Sequence, residues 1–271
     1  MARRNFCELG RWAYNLSTLK QICQRHLSNA IRKNHFASTK ETVPYPVLVH
    51  EHSSDMIKRG PGIDEMLQQN KADNIRLACS RLNGLIIHPG ESFSFWHYVG
   101  KTSRRNGFKE GRVIINGKLV RGTGGGLCNL ANTIHLLVMH SPLTITELHH
   151  HSDALAPDPG GKRTPYSAGT SVNYNYIDFR FKNTTEQDVQ LLTWCEGDCL
   201  HAELRTTAEF PYNYQIIERD HRFQKEEDGN YYRVSTIYRQ TLSKKDGKVI
   251  GEEIKWRNHS KVMFDPSLLQ Q

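Results

Sequence analysis

Gly122-Thr123-Gly124-Gly125-Gly126-Leu127-Cys128-Asn129-Leu130 is the stretch on which the reading of this chain turns. Consecutive glycines let the backbone take positive φ and approach another group closely. Before them, Arg112 to Val120 reads as a strand pair turning at Asn116-Gly117, a two-residue hairpin signal. After them, Leu127, Leu130, Ile134, Leu137 and Val138 recur on one face at helical period, predicting a helix from Leu127 to His140. Cys128 therefore falls in the first turn of a helix behind a glycine elbow. There, free N–H groups and the positive end of the macrodipole are expected to lower a thiol's pKa.

Outward from the elbow, the C-terminal side reads as strands. Pro142 ends the helix, Leu143 to Leu148 alternates, and the run His149-His150-His151-Ser152 follows. Ser171 to Phe181 alternates as a strand. From Gln187 onward short strands meet at Glu196-Gly197-Asp198, Asp228-Gly229-Asn230 and Asp246-Gly247. On the N-terminal side, a helical stretch begins near Ile63 and a second runs from Lys71 to a stop at Gly84. Leu85 to Ile87 reads as a buried strand and Phe93 to Val99 as another. Thr42 to Val49, interrupted by Pro44 and Pro46, reads as a linker or edge strand. The expected class is α+β, with helices first, a central helix behind the elbow packed on a mainly antiparallel sheet, and a C-terminal all-β meander. The expected division is 1–45 as a basic amphipathic helical segment, 46–205 as a core domain and 206–271 as a β extension.

Leu9, Trp12, Leu16, Leu19, Cys23, Leu27 and Ile31 form the apolar stripe of the first helix. Residues 1–33 carry seven Arg or Lys against the single acid Glu8. The favoured reading packs this stripe on the protein's own body, leaving the basic side solvated. The alternative is peripheral contact with an anionic membrane through 1–33. The whole chain, 271 residues with a net charge of +8, leans toward anionic partners. No dense basic run or aromatic-basic stacking pattern accompanies that charge, so nucleic acid is not an expected partner. No uninterrupted apolar segment follows Arg3 and Arg4, and no run approaches membrane-spanning length, so the expectation is a cytoplasmic protein.

Cysteines at 7, 23, 79, 128, 195 and 199 do not make a disulfide framework. Cys195 and Cys199 flank a turn and read as an ordinary hairpin rather than half a metal site. Cys128 reads either as a nucleophile or as a small buried thiol in a glycine-rich turn. As a nucleophile it needs a base and oxyanion donors. Gly125, Gly126 and Asn129 are the elbow positions placed to supply donors, with Asn132 a further one. His135 lies on the same helix but ~10 Å along its axis, too far to serve as the base. His149 and His151 are better placed if the chain folds back beside the helix, sharing a face with His150 turned away. Asp153, Asp158 and Asp178 are candidates to orient a histidine. No metal or other cofactor is expected: Cys128, His149 and His151 have zinc-ligand chemistry but lack metal-site spacing.

These blocks resemble the VanW family. The resemblance runs from Asn70-Lys71 and Asn83-Gly84 through Pro89-Gly90-Glu91-Ser92-Phe93-Ser94-Phe95, Gly107-Phe108-Lys109-Glu110-Gly111 and Gly124-Gly125-Gly126-Leu127-Cys128. It continues through His140-Ser141-Pro142-Leu143-Thr144, Glu147, His149-x-His151-Ser152, Pro157-Asp158 and Tyr174-Asn175-Tyr176-Ile177-Asp178, to Asn258 and Met263-Phe264-Asp265-Pro266. The family takes its name from accessory genes of glycopeptide-resistance clusters. Similar envelope domains are associated with cysteine-dependent L,D-transpeptidase activity on peptidoglycan stem peptides. Carried onto this chain, the resemblance implies Cys128 as nucleophile and His149 and His151 as its partners, with Ser152 and Asp158 as substrate or orienting candidates. Its implied partner is a peptidoglycan stem peptide or precursor. Three places depart from the family pattern: Asn129 stands for a glutamine, Leu148 for an arginine, and Tyr166-Ser167 for Phe-Gly. Two functions follow as expectations: acyl transfer of the transpeptidase or amidase kind, or a non-catalytic module of the cell-wall pathway using the same cleft.

Overall fold

The computed structural model of the protein describes residues 9–31, 34–60, 63–115, 118–154 and 169–270. Asn116-Gly117, Asp158 and Tyr166-Ser167 lie outside them. The first helix, α1 (Arg11–Ile31), forms where the periodicity places it. Its packing corrects the favoured reading. Leu16, Leu19, Leu27 and Ile31 are exposed, while polar residues of the opposite side, Arg25 among them, bond to the body.

β1 (Val47–Asp55) follows the proline-rich segment as an edge strand. α2 (Glu65–Leu82) is one continuous helix rather than two stretches. Asp64 caps it by accepting from the Leu67 N–H at 3.1 Å, which satisfies a donor that has no intrahelical acceptor. Ala72, Ile75, Ala78, Cys79 and Leu82 are its buried apolar positions, and Gly84 at φ +81° ends it. β2 (Leu85–Ile87) is fully buried.

The reading of Phe93 to Val99 as a strand is corrected. β3 (Ser92–Ser94) stops after three residues and α3 (Phe95–Val99) begins. The Ser94 hydroxyl accepts from the His97 N–H at 3.2 Å, and the Asp178 carboxylate accepts from the Trp96 N–H at 3.2 Å. Two caps on successive orphan donors outweigh the alternating pattern. β4 (Glu110–Ile115) and β5 (Lys118–Thr123) form the expected hairpin. α4 (Leu127–Met139) buries Leu127, Leu130, Ile134, Leu137 and Val138.

β6 (Thr144–Glu147) and β7 (Asp153–Ala154) flank the histidine run. The stretch 171–179, expected as strand, is instead an irregular segment with Asn175 at φ +64°. Only β8 (Arg180–Lys182) continues it as strand, pairing with β3 and β6. β9 (Val189–Glu196) and β10 (Cys199–Thr206) form a hairpin, with Cys199 paired to Glu196. Cys195 meets no cysteine of its own hairpin; its thiol lies 3.9 Å from that of Cys79 on α2. β11 (Tyr212–Lys225), β12 (Tyr231–Ser243) and β13 (Val249–Val262) form the C-terminal meander, joined at its edge by β7, parallel to β13.

The main sheet, ordered β1-β10-β9-β2, is antiparallel throughout. α4 packs on β1 and β10, α2 packs on β9, and the two helices touch each other. Phe93, Phe95, Phe179 and Phe181 fill the adjoining core without exposure. The fold is α+β, with its central helix behind the glycine elbow and a C-terminal all-β meander that is followed by a short 3-10 turn, Pro266–Gln270.

Candidate functional site

The elbow is held from behind. Asn74 of α2 donates from Nδ2 to the carbonyls of Gly125 and Lys109, at 3.0 and 3.1 Å, and accepts the Lys109 N–H at 2.7 Å. Asn70 donates to the Glu110 carbonyl at 2.9 Å. Gly125 presses directly on β4: a Cβ there would stand 2.6 Å from the Arg112 nitrogen and the Gly111 carbonyl carbon. Gly126, at φ +101°, would place a Cβ 2.3 Å from Lys71 Cγ. The triglycine is thus a packing solution that seats α4 against β4 and α2, not a loose hinge.

Cys128 sits in the first turn of α4, half-buried, and its thiol donates to the Val172 carbonyl at 3.7 Å. Burial pushes this thiol above its ordinary value. The expected lowering is therefore reversed, because desolvation of a thiolate outweighs the helix terminus. Asn129 is also committed elsewhere: its Nδ2 donates to the Asp55 carbonyl at 3.3 Å and its Oδ1 accepts from Ser54 at 3.2 Å. Its side-chain amide thus contributes one Nδ2 donor and its Oδ1 to the contact with β1.

The histidine run does return beside α4, through the segment 169–172. His151 N–H bonds to the Gly169 carbonyl at 3.0 Å and Ser171 N–H to the His149 carbonyl at 2.8 Å. Asn132 accepts the Thr170 N–H at 3.3 Å, and Thr170 Oγ1 lies 2.9 Å from His135 Nδ1. The orientation differs from the expected one. His150 is the residue that turns to α4, its ring 6.1 Å from that of His135 and 4.6 Å from that of Trp256. Among the described residues no hydrogen bond joins Cys128 to His149 or His151. Burial lowers His151, with Asp153 opposing, and Ser152 donates to Asp153 at 3.2 Å.

His149 has a different partner, Glu147, whose Oε1 lies 3.1 Å from its Nε2. Glu147 also accepts both guanidinium nitrogens of Arg25 at 2.6 Å and the Asp178 N–H at 3.1 Å. Burial alone would raise this carboxyl, but the hydrogen bonds from His149 and Arg25 hold it down at about 2. Asp178, fully buried, accepts from Ser94 at 2.6 Å and from Arg180 at 2.7 Å. Of this Arg25–Glu147–Asp178–Arg180 network, residue type singles out only Asp178, as a candidate to orient a histidine, and its carboxylate bonds instead to Ser94, Trp96 and Arg180. The network's one local signal is Glu147 standing two residues before His149, on one face of an extended run. Lys71 is a second residue the patterns did not flag. Burial, with the cations of Lys58 and Arg112 nearby, brings its ammonium down to about 8, against a smaller opposing effect of Asp55.

The family model described as VanW like protein matches residues 70–205, which span α2, the elbow, α4, the histidine run and the β9–β10 hairpin. The chain belongs to the VanW family. The vancomycin B-type resistance protein VanW of Enterococcus faecalis is 27% identical over 225 residues, covering 83% of this chain and 80% of that protein. An uncharacterised Bacillus subtilis protein, YoaR, is 26% identical over 153 residues, covering 53% of this chain and 48% of its own. The alignment thus spans about half of YoaR. No solved structure matches the chain significantly. The VanW match contains Cys128, His149 and His151 but not Arg25, so the salt bridge to Glu147 ties a residue outside the matched region to the site.

Proposed function

We propose that this VanW-family protein is a peptide-binding module of the cell-wall pathway, receiving the carboxylate of a peptidoglycan stem peptide or precursor beside the glycine elbow. The observation that carries this reading is the state of Cys128: its thiol donates to the Val172 carbonyl, with no base hydrogen-bonded to it among the described residues. A thiol in that state is a poor nucleophile. At the elbow, Lys71 packs against Gly126 with Lys58 and Arg112 near its ammonium, and the first turn of α4 adds backbone N–H groups, a combination suited to a carboxylate.

Titration calorimetry with a stem pentapeptide and with its C-terminal amide tests the reading. The acid is expected to bind at least about tenfold more tightly than the amide, a difference of about 1.4 kcal/mol. Equal affinities would remove the carboxylate from recognition.

Cysteine acyl transfer is the second reading, favoured by the placement of Cys128 at a helix start and by the Glu147–His149 pair, which has the form of an oriented base. In it, Cys128 Sγ bonds to the peptide carbonyl carbon as His149 or His151 takes the thiol proton. The amine then departs with that proton, and water or a second amine cleaves the thioester. Intact-mass measurement after incubation separates the two: binding without an adduct supports the module, and an acyl adduct on Cys128 supports transfer.

A further inference from the structure

Leu9, Trp12, Leu16, Leu19, Leu27 and Ile31 recur along α1 and its N-terminal flank at three- and four-residue steps, with exposed Cys23 midway between Leu19 and Leu27. All six lie between 52% and 70% exposed. The other side of α1 is polar and fixes it to the body. Arg25 reaches Glu147 and the Asn175 carbonyl, Asn175 donates to His26 Nε2 at 2.8 Å, and Arg180 donates to Asn29 at 2.9 Å. A surface helix ordinarily buries its apolar stripe and turns its polar face to water. Here the arrangement is reversed, and a contiguous apolar stripe in water marks an interaction surface.

Charge decides what covers it. Residues 1–33 hold seven Arg or Lys and only Glu8 as an acid, and with Arg25 committed to Glu147 six cations remain by sequence. Two copies meeting through this stripe would bring like charges together, whereas anionic headgroups would neutralise them. An apolar stripe within a segment of this basic composition suits a helix lying in the plane of a bilayer surface, its apolar side sunk ~5–10 Å into the headgroup region. No helix among the described residues is long and apolar enough to cross a membrane, so α1 fits lying on a bilayer rather than spanning it. We infer that α1 is an interfacial anchor that docks this protein on an anionic lipid surface. Because Arg25 bonds directly to Glu147, the docked helix would hold the Glu147–His149 pair on the membrane-proximal side of the body. This inference stands apart from the proposed peptide binding.

Vesicle flotation of the full chain tests it, using phosphatidylcholine alone and phosphatidylcholine with about 30% phosphatidylglycerol. The protein is expected to float with the anionic vesicles at low salt and to bind them less in about 0.5 M NaCl. The triple variant Leu16→Glu, Leu19→Glu, Leu27→Glu is expected to lose at least about tenfold in binding. Its circular dichroism and melting temperature should stay near those of the parent, because these positions face solvent. Absence of binding to anionic vesicles, or parent-like binding by the refolded variant, would overturn the inference. A dimer in light scattering that the variant disperses would also overturn it, by assigning the stripe to a second copy.

Discussion

Arg25 on α1 forks onto both carboxylate oxygens of Glu147 on β6, at 2.6 Å each. Side chains of the pair are only 20% and 18% exposed, so water screens it less than an open surface bridge. The same carboxylate receives the Asp178 N–H and faces His149. Arg25→Ala would leave Glu147 half-buried with its bidentate partner gone. The expected cost is about 1–3 kcal/mol, between the values for surface and buried pairs. Hydrogen exchange should localise the loosening to α1, and the Glu147 carboxyl should titrate higher by NMR. Unchanged protection of α1 would show that the pair does not hold the helix.

Gly125→Ala tests the packing role of the elbow. Its Cβ would stand 2.6 Å from the Arg112 nitrogen and the Gly111 carbonyl carbon, both backbone atoms that cannot rotate away. Overpacking of this kind costs about 1–3 kcal/mol, read as a lowered denaturation midpoint. Gly197→Ala is the contrast, since nothing lies within 4 Å of its Cβ; its residual cost comes from φ +54° alone. Because Gly125 itself is not at positive φ, a loss no larger than that of Gly197→Ala would mean that β4 yields to the added methyl and packing does not set the requirement there.

What the sequence disclosed divides along the range of the interactions involved. α4 was legible because Leu127, Leu130, Ile134, Leu137 and Val138 declare one buried face by spacing alone. The C-terminal hairpins were legible because Asp-Gly pairs dictate turns locally. α3 was not, because one of its caps is Asp178, 82 residues away from Trp96. The stripe of α1 was read correctly as a stripe, but which side meets the body depends on Arg25 finding Glu147, 122 residues on. At the site, the position of Cys128 followed from local pattern. Its thiol chemistry did not, since burial and the Val172 carbonyl are products of tertiary packing.

Alkylation of Cys128 against pH follows from that burial. Its iodoacetamide rate, tracked by peptide mapping, is expected to rise with a midpoint above the free value of about 8.5. Exposed Cys23 serves as the internal reference for reagent and pH. A midpoint below that of Cys23 would favour the acyl-transfer reading and count against the binding one.

The histidines give the fold a defined acid sensitivity. Burial holds His135 near 3 and His50 near 4, both below the ordinary 6.5. His135 faces His150 and Lys255, and His50 faces His140 and His52, so neighbouring cations oppose protonation further. Below pH 6.5 the unfolded chain takes up protons at these sites while the folded protein does not. Their stabilising contribution is therefore complete above that pH and is lost as pH falls toward the folded values. For fully buried His135 the slope approaches about 1.4 kcal/mol per pH unit. Carboxylates such as Glu147, held at about 2, add their own loss only below about pH 4.5. Thermal melts between pH 7.5 and 4.5 should thus show a level melting temperature down to about pH 6.5 and a steady fall below it. His50→Phe, which keeps the ring stacked on His140 at 3.8 Å but cannot take a proton, should flatten part of that fall. A melting temperature constant across the window would mean that these histidines protonate in the folded state without cost.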